Sequence, residues 1–556
     1  MTDSAADTSM PARFPRLMTA MILLSLSIGA ISAWLTRAAM NPDGISYLDL
    51  SDRWMAGDFN GVVNGYWSPL YPALLALVRM ILRPSPQSEF AAAHAANFVV
   101  FVLGLMTFSF FLRELLARSS PDPRRQQALV LWGYGLFLWS SVSQVMLSIV
   151  TPDLLVAAFV WLLALLVLKA ADGRPVFSVA LGVACAAAFL AKTVMFPIAF
   201  PFLCAGLPRR RMWRAAVLSL MGFVCVAGPW IGALSRQKGR LTFSDTGKLV
   251  YGLYVDDIAY YTHWHGEPAG SGIPVHPTRK IFDHPPVFEF NGPIRATYAP
   301  WFDPSYWNEG LRTHVDLRGH VKATIETVKT YYVLFVKTQW AFAGLSILLL
   351  LTAQRRKLAA TFRDALRIGL PAGLALALYA ILHVEGRYVG FFMALFFIAM
   401  LLLADVERQV LRAVSIVVAI SLFTATAVEV IKQYPTRSSL PSEWQIASGL
   451  EAQGLREGDG VASIGIMIMH AWPRLVRARV VAETPQDAID AFWNAAPETQ
   501  RRVFDAFRRA GAKVVVGTVP ATCASAPGWT KIPGTDTSYR FLSRETAATP
   551  FRALAP

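Results

Sequence analysis

Four ionisable residues stand at the ends of apolar stretches that would otherwise carry no charge. Asp43 follows the first long apolar stretch, in NPDGISYLDLSDRW (residues 41–54). Asp153 opens another in SIVTPDLLVAAFVW, Lys192 interrupts a third in FLAKTVMF, and Arg387 precedes a fourth in HVEGRYVGFF. An ionisable side chain at membrane depth costs about 2.5–3.5 kcal/mol on insertion scales, so each is a functional candidate. Their chemistry is complementary. A carboxylate can take a proton from an attacking hydroxyl or amine, and Lys192 and Arg387 can hold a phosphate, the arginine through two parallel contacts. Tyr388, next to Arg387, joins the phosphate-binding candidates, and Asp49, Asp52, Glu385 and His383 are secondary candidates. Each position also has a plainer use. Asp43 and Asp153 can cap helices or sit in a first turn. Asp49 and Asp52 can form a solvated helix face, with Asp49 paired to Arg53. Lys192 can snorkel to the interface, and Glu385 can simply pair with Arg387.

What must position these residues is a scaffold built in a bilayer. Of the 556 residues, 54% are hydrophobic and 16% charged, and the mean hydropathy is +0.42. Such a chain belongs to the integral membrane class. A spanning helix needs about 20 mostly apolar residues, and the candidates are 17–39, 91–116, 127–148, 152–169, 176–191, 194–207, 214–234, 328–352, 366–384, 388–404 and 410–431, eleven in all. The first is longer than the roughly 7–15 apolar residues of a signal peptide and reads as a retained helix. The net charge of +15 sits in short connections near 118–125, 169–174, 209–214, 355–367 and 408–412. That is the pattern of cytoplasmic loops and excludes a nucleic-acid partner. Two separate spans within 176–207 keep all five connections on the side of the N-terminus, whereas one span would send PRRRMWR outside. The N-terminus is then cytoplasmic. The loop 40–90, the long connection 235–327 and the tail 436–556 are extracytoplasmic, and the four ionisable residues share that face.

The outer segments have their own patterns. A helix is expected after Asp43, and SPLYPALLALVRMIL (68–82) reads as a surface-lying or re-entrant helix. The 235–327 connection is dense in Tyr, Trp, Pro and Gly, as in YAPWFDPSYWNEG (298–310). Such residues suit the membrane interface, and also stacking on a sugar or a prenyl chain. In the tail, 441–455 reads as helix, 458–466 and 477–483 as strands, and 497–518 as helix then strand, which makes a small α/β domain. The chain thus divides into a membrane domain, 1–435, and an outer α/β domain, 436–556. No phosphate-binding glycine loop occurs. Cys185, Cys204, Cys225 and Cys523 show no metal-ligand spacing, and no disulfide is expected. The absence of an internal repeat and the clustering of charge at one interface argue against a transporter or lipid flippase.

The aspartate of NPDGISYLDLSDRW, its continuation into GYWSPLYPALLAL, then TPDLLVAAFV, AKTVMFP and GRYVGFF together resemble the GT-C superfamily of membrane glycosyltransferases, especially its protein-O-mannosyltransferase and aminoarabinose-transferase branch. The resemblance covers roughly residues 1–400 and implies an α-helical polytopic fold of about eleven transmembrane helices in the bacterial inner membrane; it does not extend to the α/β tail, which looks like the extracytoplasmic domain many such enzymes carry. It implies inverting transfer of a hexose or pentose from a polyprenyl-phosphate donor to a lipid, glycan or protein acceptor on the outer face. Asp43 would match the family's loop aspartate and Asp153 its second acidic position, while Lys192 and Arg387 approximate the donor-phosphate contacts. The branch usually has an acidic residue directly after the loop aspartate, where this chain has Gly44, and a strict D-x-D is absent. A divalent metal stays open on that account, and no other cofactor is implied. The chain is also similar to bacterial membrane proteins with the same WFDPSYWNEG-type loop and α/β tail, a likeness that carries no activity. A transporter, a flippase and a non-catalytic protein of the same architecture remain the competing readings.

Overall fold

The computed structural model describes residues 13–119, 122–258, 262–337, 344, 359–403, 408–433, 442–521 and 526–542. The expected span 328–352 runs out of these residues after Lys337 apart from Gly344, and Cys523 lies outside them. The other three cysteines are free thiols.

Helices form along the apolar runs and stop at proline, glycine and charge. Among the described residues, six are long and apolar enough to cross a bilayer: Arg16–Leu35, Pro86–Arg118, Asp153–Ala170, Met212–Lys238, Gly386–Leu403 and Ala413–Lys432. The chain is a multi-pass membrane protein. Where eleven crossings are expected, the remaining helices are shorter or interrupted. Pro175–Ala191 and Met195–Ala205 are separate and have 17 and 11 residues. Pro123–Leu138 continues into a π-helical turn, Trp139–Gln144, and Ala359–Ala380 holds Pro371 within it. Small residues let the helices approach closely. A Cβ on Gly182 would lie 1.8 Å from the carbonyl oxygen of Ser219, so Pro175–Ala191 and Met212–Lys238 meet backbone to backbone.

The outer loop holds two helices, Pro42–Met55 and Leu70–Leu82. The second buries Tyr71, Leu75 and Arg79 and exposes Leu77, Met80 and Ile81, the two-faced pattern of a helix lying in a membrane surface. The aromatic segment 298–310 behaves differently from the interfacial expectation. Trp301, Phe302 and Trp307 are buried, and the Trp301 carbonyl accepts from Ser46 Oγ at 3.0 Å and Trp67 Nε1 at 3.1 Å. The segment is a wedge driven against Pro42–Met55, because its indole and backbone polar groups find partners there.

Among the described residues seven strands make one sheet: β1 (Arg279–Phe282), β2 (Val287–Glu289), β3 (Gly460–Ile464), β4 (Arg479–Thr484), β5 (Ala512–Gly517), β6 (Thr530–Lys531) and β7 (Ser538–Phe541). Their order is β1-β2-β4-β3-β5-β7-β6. The centre, β4-β3-β5, is parallel, and β3 is buried along its whole length, as a central parallel strand covered on both faces is. One edge comes from elsewhere in the chain. β1 and β2 form a hairpin of the long outer connection, and β2 pairs antiparallel with β4. The same connection supplies His263 and Tyr298, which bond to the buried Glu483 of β4 at 3.0 and 2.7 Å.

Candidate active site

Pro42 takes the first helical position after Asn41, where a missing N–H is harmless. This puts Asp43 in the first turn, but its carboxylate caps nothing. Oδ2 accepts from Arg387 Nη1 at 3.0 Å, and Oδ1 accepts from Trp301 Nε1 at 3.2 Å. Arg387, in the first turn of Gly386–Leu403, is the hub. Its Nη1 also lies 3.9 Å from Asp153 Oδ2, its Nε donates to Glu385 at 2.6 Å, and its Nη2 donates to the Tyr388 hydroxyl at 3.0 Å. Gly386 and Gly390 let this helix start press on the π-helical turn: a Cβ on Gly390 would lie 2.5 Å from Gln144 Cβ.

Asp153 begins its helix and is 1% exposed. Its Oδ1 accepts from Lys192 Nζ at 2.5 Å, while Oδ2 has no hydrogen-bond partner. Lys192 does not snorkel. Its ammonium turns inward onto Asp153 and stands 3.7 Å from the centroid of the Tyr388 ring, a cation–π contact worth about 0.5–2 kcal/mol. His383 bonds to Glu385 at 3.0 Å and stacks on Tyr254. Burial works to raise the Glu385 carboxyl, but His383 and Arg387 outweigh it and hold it at about 2. A carboxylate that acidic is a poor proton acceptor at neutral pH.

Two cavities meet at the Asp43–Arg387 pair. The first, of about 540 Å³, is lined by Asp153, Lys192 and Tyr388 and by an apolar wall of Val194, Pro197, Phe243, Leu378 and Leu382. The second, of about 550 Å³, is lined by Asn41, Gln144, Met146 and Leu334 and by Ile468 and Met469 of the tail. Asp43, Trp301, Glu385 and Arg387 border both.

The structure therefore brings Asp43, Asp153, Lys192, Arg387, Tyr388, Glu385 and His383 together. It keeps Asp49 and Asp52 apart from them. At about 3.6 residues per turn, position 52 lies half a turn round from position 43, and neither carboxylate lines either of these two cavities. They are not a solvated face either. Asp49 is buried and both are tied to Arg474, while Arg53 pairs with Asp58 at 3.0 Å instead of Asp49. Burial works to raise the Asp52 carboxyl, but Arg474 and Arg79 outweigh it and hold it at about 2.

Two residues of the site were not visible as candidates in the sequence. Trp301 anchors Asp43 from the aromatic wedge. Lys248, on the Thr246–Tyr254 helix of the long connection, lines the first cavity; nothing in TGKLVYGLY distinguishes it from a surface lysine. A divalent metal does not fit the donor set. The Asp43 and Asp153 oxygens face Arg387, Trp301 and Lys192, and among the described residues no three His, Cys, Asp or Glu side chains converge as ligands.

The backbone superimposes on ArnT from Cupriavidus metallidurans in its apo state, with a TM-score of 0.52 over 94% of this chain and 98% of that one at 14% identity. The chain has the GT-C fold. The same Cupriavidus protein bound to undecaprenyl phosphate matches with a TM-score of 0.53, covering 97% of this chain and all of that one at 12% identity. The Archaeoglobus fulgidus oligosaccharyltransferase in complex with zinc and sulfate matches with a TM-score of 0.52 at 13% identity, over 90% of this chain and 68% of that one. No protein-family model and no curated protein matches the sequence.

Proposed function

We propose that the protein is an inverting glycosyltransferase that moves a sugar from a polyprenyl-phosphate donor to an acceptor hydroxyl or amine on the extracytoplasmic face of a bacterial inner membrane. The observation that carries this is a carboxylate, Asp43, placed between two cavities and paired with the Arg387 guanidinium. The undecaprenyl phosphate bound by the Cupriavidus neighbour supports a lipid phosphate as donor, and the basic connections support a cytoplasmic N-terminus. In this reading the membrane domain, 1–435, carries the reaction and the tail, 436–556, lies outside the bilayer.

The donor occupies the first cavity. Its prenyl chain follows the wall of Val194, Pro197 and Phe243, which Phe196 extends by stacking on Phe243. In the group around Arg387, three carboxylates face two cations, so Lys248 is the residue with charge to offer a phosphate, and Lys192 and Arg387 close on it as the donor settles. The acceptor enters the second cavity. Asp43 takes the acceptor proton, the acceptor oxygen or nitrogen attacks the anomeric carbon, and the bond from that carbon to the phosphate oxygen breaks. The electron pair leaves with the polyprenyl phosphate, and the proton passes from Asp43 to solvent. Attack from the cavity opposite the phosphate inverts the anomeric centre. Glu385 borders both cavities too, but it is held too acidic to act as the base.

The test is incubation of purified protein with a panel of polyprenyl-phosphate sugars, following donor consumption and release of polyprenyl phosphate. Consumption of none of them would count decisively against the reading. Lys248→Gln is expected to raise the donor KM about tenfold with kcat little changed, the loss of one charged contact of roughly 1.5 kcal/mol. An unaltered KM would remove Lys248 from the donor site.

A further inference from the structure

A second charged cluster lies under the Asp43 helix and borders neither cavity. Its centre is Arg474, on the short Trp472–Leu475 helix of the tail, 2% exposed. Arg474 Nε and Nη2 hold the two oxygens of Glu89 at 2.7 and 2.8 Å, and Nη1 donates to Asp49 and Asp52, both at 2.6 Å. Arg79 closes the cluster from the far side, 2.5 Å from Glu89 and 2.7 Å from Asp52, and Arg477 reaches Glu89 at 3.1 Å. From here a chain of contacts leads back to the site. Asp49 accepts from the Thr297 amide at 2.9 Å and from its hydroxyl at 2.8 Å. Four residues on, Trp301 donates to Asp43 and its carbonyl accepts from Ser46 of the same helix.

A buried ion cluster is weak evidence for stability, since an apolar packing of equal volume does as well or better; its attested use is to specify one arrangement. The guanidinium suits that use. Its planar fork fixes direction as well as charge, which a lysine ammonium does not. Arg474 engages three carboxylates at once, two on the Asp43 helix and one at the start of Glu89–Arg118. That fixes both the rotation and the depth of the helix against the bundle.

We propose that Arg474 is a positioning residue: the tail, chiefly through this buried guanidinium with Arg477 beside it at 3.6 Å from Asp52, sets the Pro42–Met55 helix and the Trp301 wedge so that Asp43 stands between the two cavities. The kinetic consequence rests on the transferase reading; the structural consequence does not.

The test uses the full-length protein with Arg474→Lys, which keeps the charge and removes the fork. Turnover is expected to fall about 10- to 100-fold, the cost of misplacing a reacting group by roughly 1 Å. The donor KM is expected to stay within twofold, because Lys192 and Lys248 are on other elements. Hydrogen exchange across residues 42–55, measured without substrate, is expected to speed up. Should Arg474→Lys fail to fold, Thr297→Val takes its place, removing the hydroxyl bond to Asp49 and lowering kcat without moving KM. A kcat within twofold of wild type, unchanged exchange over 42–55, or kcat and KM worsening together would each overturn the proposal. If the wild-type protein consumes no donor, the transferase reading falls by itself, and faster exchange in Arg474→Lys then still upholds the link from tail to helix.

Discussion

Asp43→Asn is expected to abolish sugar transfer while leaving donor binding intact. The substitution keeps size and shape, so the Pro42–Met55 helix has no reason to move; its position is set by Ser46, Asp49 and Asp52, which are untouched. What changes is chemistry. The carboxamide cannot accept the acceptor's proton, and one of its two polar atoms becomes an N–H₂ that must face either Arg387 or Trp301, both donors. Loss of a general base lowers rates by about 10²–10⁴. Product formation at saturating donor measures kcat, and binding of polyprenyl phosphate to the purified variant separates chemistry from affinity. Turnover within tenfold of wild type would leave Asp43 no catalytic part.

Arg387→Gln is expected to be nearly as damaging, and for two reasons that separate experimentally. The guanidinium uses all three of its nitrogens, on Asp43, Glu385 and the Tyr388 hydroxyl, with Asp153 just beyond at 3.9 Å. Glutamine leaves Asp43, Asp153 and Glu385 facing one another with only Lys192 and the His383 bond to Glu385 to compensate. Removing one partner from a largely buried pair destabilises by about 3–5 kcal/mol, which thermal unfolding in detergent would register as a lowered midpoint. The kinetic effect is a kcat/KM lower by about 10²-fold or more, because the cation that orients the base and meets the leaving phosphate is gone. Arg387→Lys restores the charge but one contact at a time, so it is expected to recover the stability more than the rate. Equal recovery of both, or an Arg387→Gln variant within threefold of wild type, would contradict the role given to this residue.

Much of this arrangement was legible in the sequence, and the part that was not has a common cause. Asp43, Asp153, Lys192 and Arg387 were conspicuous because each breaks the rule that apolar stretches exclude charge, and the alternation of basic connections put them on one face before any contact was known. The central strands β3, β4 and β5 were legible because each carries a short core of small and β-branched apolar residues, Val461–Ala462, Val480–Ala482 and Val514–Val516. The failures are all long-range. Asp49 and Asp52 look like a wet helix face until Arg474, more than four hundred residues away, arrives to cover them; their separations are 425 and 422 residues. Glu89 sits among alanines and phenylalanine as an ordinary helix start and is in fact fully buried. β1 and β2 are four and three residues long, too short for a pattern of their own, and exist because β4 offers them an edge. Lys248 and Trp301 belong to a connection whose return over the site no local spacing announces.

The shared sheet also bears on how the protein is made. Tyr298 and its partner Glu483 are 185 residues apart, and the described helices Ala359–Ala380, Gly386–Leu403 and Arg408–Lys432 lie between them in the chain. Synthesis delivers the β1–β2 hairpin first, with the backbone groups of its outer edge unsatisfied. β4 reaches it only after those helices have been inserted in the correct sense. Completion of the sheet therefore requires the intervening helices to return the chain to the side on which the hairpin lies, and a chain that fails to do so leaves the β2 edge unpaired.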